Sequence, residues 1–195
     1  YTEGFKRIMI SSSICDESKI IVTGMPRADY YYEDLKLSKK HILCLLPSWR
    51  PPLSIENEFL LDQKKYAEQI TKIILSFAES HPNEKIIIKT KMEKNNLILL
   101  DDLIYNRKLK NVFVVKGGNI ATLIKNSKVV VGFQSSALIE SLILKKPIIV
   151  PYFNINKSKE FERCTLNLRE CSYYANSESL MKDLLSDICD NKIGF

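Results

Sequence analysis

Three features of this sequence predict an α/β fold built on a doubly wound, mostly parallel sheet. Short apolar runs rich in β-branched residues alternate with segments of helical period. One stretch, Lys128 to Phe153, reads without interruption as strand, turn, helix, strand. Residues able to meet an anion recur just after the expected strands, where ligands bind in open α/β sheets.

Taken in order, residues 1–19 scatter Ile8 to Ile10, Ile14 and Cys15 among serines and read as a linker or incoming segment; residues 20–195 read as the domain proper. Ile20 to Val22 suggest a short strand, and the Gly24 and Pro26 that follow force a loop placing Arg27 near a strand end. The aromatic run Tyr30 to Tyr32 is better suited to core packing than to stacking on a base. His41 to Leu46 is a buried strand ended by Pro47-Ser48-Trp49-Arg50-Pro51-Pro52, so Ser48 and the forked donor Arg50 stand at its carboxyl end. Tyr66, Ile70, Ile73, Ile74 and Phe77 recur at helical spacing, and His81-Pro82 is the stop signal. Lys85 to Lys89 is the next strand, with Lys89, Thr90 and Lys91 at its end. A helix over Leu97 to Leu109 leads to a strand at Val112 to Val115. In the turn Lys116-Gly117-Gly118-Asn119, the two glycines allow close backbone approach to a nucleobase, although a plain turn needs glycine too. Ile120, Leu123 and Ile124 make a short helix.

The organising stretch comes next. Lys128 to Val131 form an apolar run suited to a strand buried on two faces, and Gly132 breaks it. Ser135 and Ser136 are good N-cap residues, and Leu138, Ile139, Leu142 and Ile143 follow at helical spacing. Lys145 and Lys146 suit the negative helix end, Pro147 stops the helix, and Ile148 to Val150 is another buried strand. In such a unit the helix N-terminus offers free N–H groups and a favourable dipole to a phosphate, and the serine hydroxyls, with Gln134 just before them, add donors. Glu140, one turn beyond Ser136 on the same face, suits a sugar diol. Ordinary capping and dipole matching account for the same residues, so spacing alone leaves the choice open. After Phe153 comes a polar loop with Phe161, Arg163 and Arg169, then a terminal helix on Leu180, Leu184, Leu185 and Ile188, capped by Asn176 or Ser177.

Composition narrows the classes. The 195 residues are 45% hydrophobic and 27% charged, enough for one sizeable core and too ordered for a disordered chain. No apolar run approaches the roughly 20 residues a membrane helix needs, and no signal-peptide pattern opens the chain, so a cytoplasmic location is expected. Five scattered cysteines without a C-x-x-C pair argue against a disulfide framework or zinc site. A net charge of +6 suits phosphate-bearing ligands, an anionic membrane surface or nucleic acid, and charge alone does not choose among them. Basic residues are spread among acidic ones without aromatic interleaving, and no nucleic-acid partner is expected. Neither a dinucleotide fingerprint nor a P-loop is present. The chain opens at Tyr1 and is read as a piece of something longer.

In order, TGMPRAD, LPSWRPP, IIIKTK, VVKGGN and VVVGFQSSALIESLILKKPIIVPYF resemble the C-terminal nucleotide-binding half of GT-B glycosyltransferases, over residues 20 to 153. The branch is that of CDP-glycerol glycerophosphotransferases and capsule or lipopolysaccharide Kdo transferases. The resemblance implies a Rossmann-like GT-B half domain that binds a nucleotide-sugar donor, CMP- or CDP-linked, as substrate and needs no cofactor. It implies phosphate contacts from Ser135 and Ser136, a ribose contact from Glu140, and supporting roles for Arg27, Ser48 and Arg50. A basic residue such as Lys91 or Arg50 would stabilise the leaving nucleotide. Where family members often carry His-Pro, this chain has Lys89-Thr90-Lys91. No D-x-D pair occurs, which fits metal-independent chemistry. The acceptor would be a saccharide or lipid-linked glycan, reached by peripheral contact with the inner face of the bacterial inner membrane. The general base would come from a missing N-terminal half. Two rival readings share the fold: a catalytically inactive GT-B-like binding module, and a sugar-nucleotide epimerase, which would need acid/base carboxylates on the strand-end loops where none stands out.

Overall fold

The computed structural model describes residues 3–24, 28, 31, 38–46, 63–90, 100, 101, 103–153 and 166–194. The chain divides into two compact units, residues 1–36 and 37–195.

In the first unit, the segment expected as a linker contains a helix, α1 (Glu3–Ser11), followed by a single 3₁₀ turn at Glu17–Lys19. Phe5, Ile8 and Met9 have the spacing of one helix face, a pattern too brief to stand out among the serines. Lys6 pairs with Glu17 at 3.0 Å. The strand expected at Ile20 to Val22 does not form: the segment lies outside any strand, and Ile21 is 84% exposed. Three apolar residues without a neighbouring ladder cannot satisfy their backbone as a strand. Tyr31 is buried, in keeping with the packing role expected of it.

The second unit carries six strands: β1 (His41–Leu45), β2 (Ile86–Lys89), β3 (Val112–Val115), β4 (Ser127–Gly132), β5 (Ile148–Pro151) and β6 (Tyr173–Ala175). Their order is β3-β2-β1-β4-β5-β6 and every pairing is parallel. This is the doubly wound arrangement expected. β1 and β5 are buried at every position, as strands covered on two faces must be. β6 is the strand sequence reasoning missed, because Tyr173-Tyr174-Ala175 is short, set in a polar segment, and half-exposed at the sheet edge.

Helices cover the sheet. α2 (Gln63–Ser80) buries Tyr66, Ile70, Ile73, Ile74 and Phe77, the stripe its spacing predicted, and ends where His81 stacks on Phe77 at 3.9 Å between ring centres. Residues 100, 101 and 103–106 are helical within the span expected. α3 (Ile120–Lys125) begins at Asn119, whose side chain accepts from Ala121 N. α4 (Ser136–Ile143) begins at the serine pair, and α5 (Glu178–Cys189) is capped by Ser177, which accepts from Leu180 N. α3 touches α4, while α5 packs on β4, β5, β6 and α2, where Lys182 Nζ donates to Ser76 Oγ at 3.0 Å.

Candidate functional site

The chain leaves β1 toward β2 on one side and β4 toward β5 on the other, so the strand order reverses between β1 and β4. At such a switch point the loops after the two strands diverge and open a crevice at their carboxyl ends. Register puts Leu45 of β1 opposite Gly132 of β4, and here the approach is tight. A Cβ on Gly132 would lie 3.2 Å from Leu45 Cβ and 3.2 Å from Leu138 Cδ2, so glycine lets strand, neighbour and helix meet.

Beyond Gly132 the chain turns sharply. Phe133 is buried, Gln134 takes φ of 50°, and Ser135 returns to extended backbone as the N-cap of α4. A non-glycine residue at positive φ stores about 1 kcal/mol or more, a cost that clusters at functional turns. The Gln134 side chain compensates in part: its Oε1 accepts from Leu166 N at 2.9 Å, tying the 166–172 segment to this turn. Ser135 Oγ accepts from Ala137 N at 3.3 Å, and Leu138 N donates to Ser135 O at 3.0 Å. The capping contact is long, so an anion at the helix tip can replace it as acceptor while the serine hydroxyl turns to donate.

The candidate residues fall out as follows. Ser136 is exposed and Ser135 half-buried at the mouth of the turn, whereas Glu140, one turn deeper, is 1% exposed. Lys89 closes β2, next to β1, and its ammonium donates to Lys116 O at 2.9 Å and Thr90 O at 3.2 Å. Two of its three protons are thus spent on the ends of β2 and β3. Gly117 and Gly118 are exposed after β3, two strand spacings (about 10 Å) from β1. Gly118 needs glycine for its φ of 86°; Gly117 has neither positive φ nor a close neighbour. Arg27, Ser48, Arg50 and Lys91 lie outside the described residues.

Packing at the carboxyl edge shows residues that periodicity did not mark for the site. Tyr66 donates its hydroxyl to Pro151 O and meets Phe133 edge-on at 5.3 Å and Phe153 at 6.1 Å, so the start of α2 braces the ends of β4 and β5. Burial holds the Tyr66 hydroxyl protonated far above its ordinary range. Next to Gln134, the Arg169 guanidinium lies 4.9 Å from the Tyr152 ring centre and 5.0 Å from that of Tyr174. Tyr174 in turn accepts from Leu168 N at 3.0 Å. A high share of aromatic and cationic residues in the 152–174 stretch was the available signal, but nothing in linear spacing says they converge.

Burial pushes the thiol of the buried Cys44 of β1 up to about 12 and that of the half-buried Cys189 up to about 11, so both stay protonated at neutral pH. Among the described residues no group of three or more His, Cys, Asp or Glu is placed to hold a metal, and no helix is long and apolar enough to cross a membrane.

A parallel 3-2-1-4-5-6 sheet flanked by helices, with a serine-capped helix at its switch point, defines the class by its fold: a doubly wound, Rossmann-like half domain of GT-B type. Residues 3–186 match the model of the CDP-glycerol:poly(glycerophosphate) glycerophosphotransferase family, and the chain belongs to that family. The fold is shared with UDP-GlcNAc 2-epimerase of Neisseria meningitidis, solved with UDP-GlcNAc bound, at 15% identity and a TM-score of 0.56 over 98% of this chain and 52% of that one. A putative UDP-N-acetylglucosamine 2-epimerase of Listeria monocytogenes gives 12% identity and a TM-score of 0.58 over 98% and 50%. S. aureus TarM in a complex containing UDP gives 15% and 0.51 over 97% and 35%. At such identities the likeness is one of fold. The chain spans about half the length of the two epimerases and about a third of TarM. No curated protein matches it.

Proposed function

We propose that this chain holds the nucleotide end of an activated donor, CMP- or CDP-linked, in a bacterial transferase that builds capsule, lipopolysaccharide or teichoic-acid type polysaccharide. The observation that carries the reading is the corner at the β1/β4 switch point, where a strained Gln134 delivers the serine-capped N-terminus of α4 to the crevice. The helix dipole, the opening amides and the exposed Ser136 hydroxyl suit a phosphate there.

In glycosyl transfer the bond from the anomeric carbon to the donor phosphate oxygen breaks as an acceptor hydroxyl attacks. In glycerophosphate transfer the hydroxyl attacks phosphorus and the nucleoside monophosphate leaves. Either way negative charge grows on the departing phosphate, and preorganised donors aimed at it lower the barrier. The helix tip supplies some of these, and Arg50 or Lys91 a full positive charge. Glu140 takes the ribose once the crevice gives it access, and the Gly117–Gly118 turn approaches the base. The reaction runs without a metal. A general base from an N-terminal half takes the acceptor proton, and the acceptor, a saccharide or lipid-linked glycan, is met from the cytoplasm at the inner membrane face.

Titration of the chain with CMP, CDP, UDP and GDP tests this. Binding of at least one, weakened about tenfold (about 1.4 kcal/mol) by Ser135→Ala with Ser136→Ala, is the expected result. Failure of all four to bind a chain that remains folded would falsify it.

A further inference from the structure

Of the five residues whose spacing marked α2, Ile70, Ile73, Ile74 and Phe77 carry no polar side-chain atom. Tyr66, buried as they are at 3% exposure, brings a hydroxyl into the core. Phenylalanine would fill the same place, and a phenol taken out of water costs stability unless its hydroxyl is bonded. Helical packing therefore does not account for the hydroxyl.

The place where the sheet splits does. β4 and β5 are paired at Val130–Ile148 and Val131–Ile149, and their ladder stops there. β5 runs on to Pro151 beside β6, while β4 ends at Gly132 and the chain turns through Gln134 to Ser135, the cap of α4. Tyr66 fills the fork. Its hydroxyl donates to the carbonyl oxygen of Pro151, the last residue of β5. Its ring meets Phe133, the first residue past β4, edge-on at 5.3 Å and 71°, and Phe153, two residues past β5, at 6.1 Å and 54°. All three rings are buried. One side chain thus touches both branches, and one of its contacts is the residue just before the strained Gln134. A hydrogen bond restricts direction as well as distance, and edge-on rings have a preferred geometry, so the angle at which β4 parts from β5 is set from α2.

We propose that Tyr66 is a positioning residue for the donor corner: bonded to Pro151 O and set edge-on to Phe133, it fixes the divergence of β4 from β5 and so the place at which the N-terminus of α4 meets a phosphate. It touches no substrate itself, and its consequence for binding rests on the donor-site reading. Amides already in place hold an anion better than amides that must first be ordered.

Tyr66→Phe keeps the ring and deletes the bond. In the ligand-free 195-residue chain, hydrogen exchange at Ala137 and Leu138, whose amides are bonded to Ser135, should become about tenfold faster, a larger change than at Leu43 and Val130 in mid-sheet. Calorimetric titration of the folded variant with CMP, CDP, UDP and GDP should show about tenfold weaker binding of whichever nucleotide the parent binds best. A core tyrosine without the positioning role would lower the melting temperature and move neither readout. Parental affinity in the folded variant overturns the proposal, as do corner amides that keep their rates or speed up only in step with mid-sheet. Should Tyr66→Phe fail to fold, Phe133→Leu carries the test, since it loses the edge-on contact and leaves the hydroxyl bond: both readouts should shift severalfold, and parental values refute the role. If the parent binds no nucleotide, the donor-site reading fails, and the exchange rates alone decide whether Tyr66 sets the corner.

Discussion

The two ends of this parallel sheet are built on opposite logic. At the amino ends of the strands, polar groups are closed onto the protein itself. His41 pairs with Leu123 O at 3.0 Å; Lys146, 4% exposed, donates to Ser127 O at 2.8 Å and Ser38 O at 3.1 Å; Lys128 pairs with Glu84 at 2.7 Å. One amide, Asn111 Nδ2, is shared among the carbonyls of Ala78, His81 and Glu84. At the carboxyl ends the chain instead spends strain on Gln134, exposes Ser136 and steadies Arg169 on two rings. Satisfied polar groups at the amino ends rigidify the sheet, so that the exposed groups at the carboxyl ends are presented from a fixed frame.

Substitutions should therefore separate stability from binding according to the end they touch. The largest effect expected is from Asn111→Ala, which strips three carbonyls of a donor at once. Unfolding free energy should fall by about 3 kcal/mol, while nucleotide affinity measured on the folded fraction stays put. An affinity that fell with it would break the division of labour.

Lys146 gives a pH-dependent version of the same contrast. Burial, with Lys39 adding repulsion, brings its ammonium down from 10.5 to about 8. Below that pH both folded and unfolded chains keep the proton and the desolvation cost is constant. Between about 8 and 10.5 the unfolded chain holds a proton the folded one has released, so stability rises with pH, by at most about 3 kcal/mol. Chemical denaturation across this window should show the rise in the parent and a flat profile in Lys146→Met. A parent as flat as the variant would mean that the carbonyls of Ser127 and Ser38 hold the ammonium charged throughout. His41, lowered chiefly by burial, gives a change of the same sign in a more acid window: stability is lost as pH falls through 6.5, where the unfolded imidazole protonates first.

Gly132→Ala strikes the carboxyl end of β4, where sheet packing and the helix-tip corner meet. Leu45 Cβ is anchored to a central strand and cannot yield as a flexible side-chain tip would, so a loss of about 2 kcal/mol in stability is expected, together with weaker nucleotide binding as the turn shifts. The smallest effect should be that of Ser136→Ala. An exposed hydroxyl outside the cap leaves the melting temperature within a degree or so, while donor affinity drops by about 1 kcal/mol. If melting moved and affinity did not, the serine would be structural after all.

Much of this was legible beforehand, and the reasons are local. α2 could be read because five apolar residues recur at its period; α4 because Ser135 and Pro147 bracket it; β4 and β5 because strands buried on two faces are written as unbroken apolar runs. α1 and β6 were missed where the pattern is nine and three residues long, too brief to rise above a polar background. The Ile20 to Val22 run misled for the converse reason, since β-propensity without a partner strand makes no ladder.

Sequence alone determined helices α2 to α5 and strands β1 to β5, and that a serine-capped helix follows Gly132, because periodicity and capping are short-range chemistry carried by adjacent residues. Tertiary structure decided that β4 lies beside β1, which makes that helix tip a switch point, that Glu140 is buried while Ser136 is not, and that Tyr152, Arg169, Tyr174 and Gln134 share one cavity. Strand order and convergence depend on which apolar faces pack together over tens of residues, and no local pattern encodes that pairing.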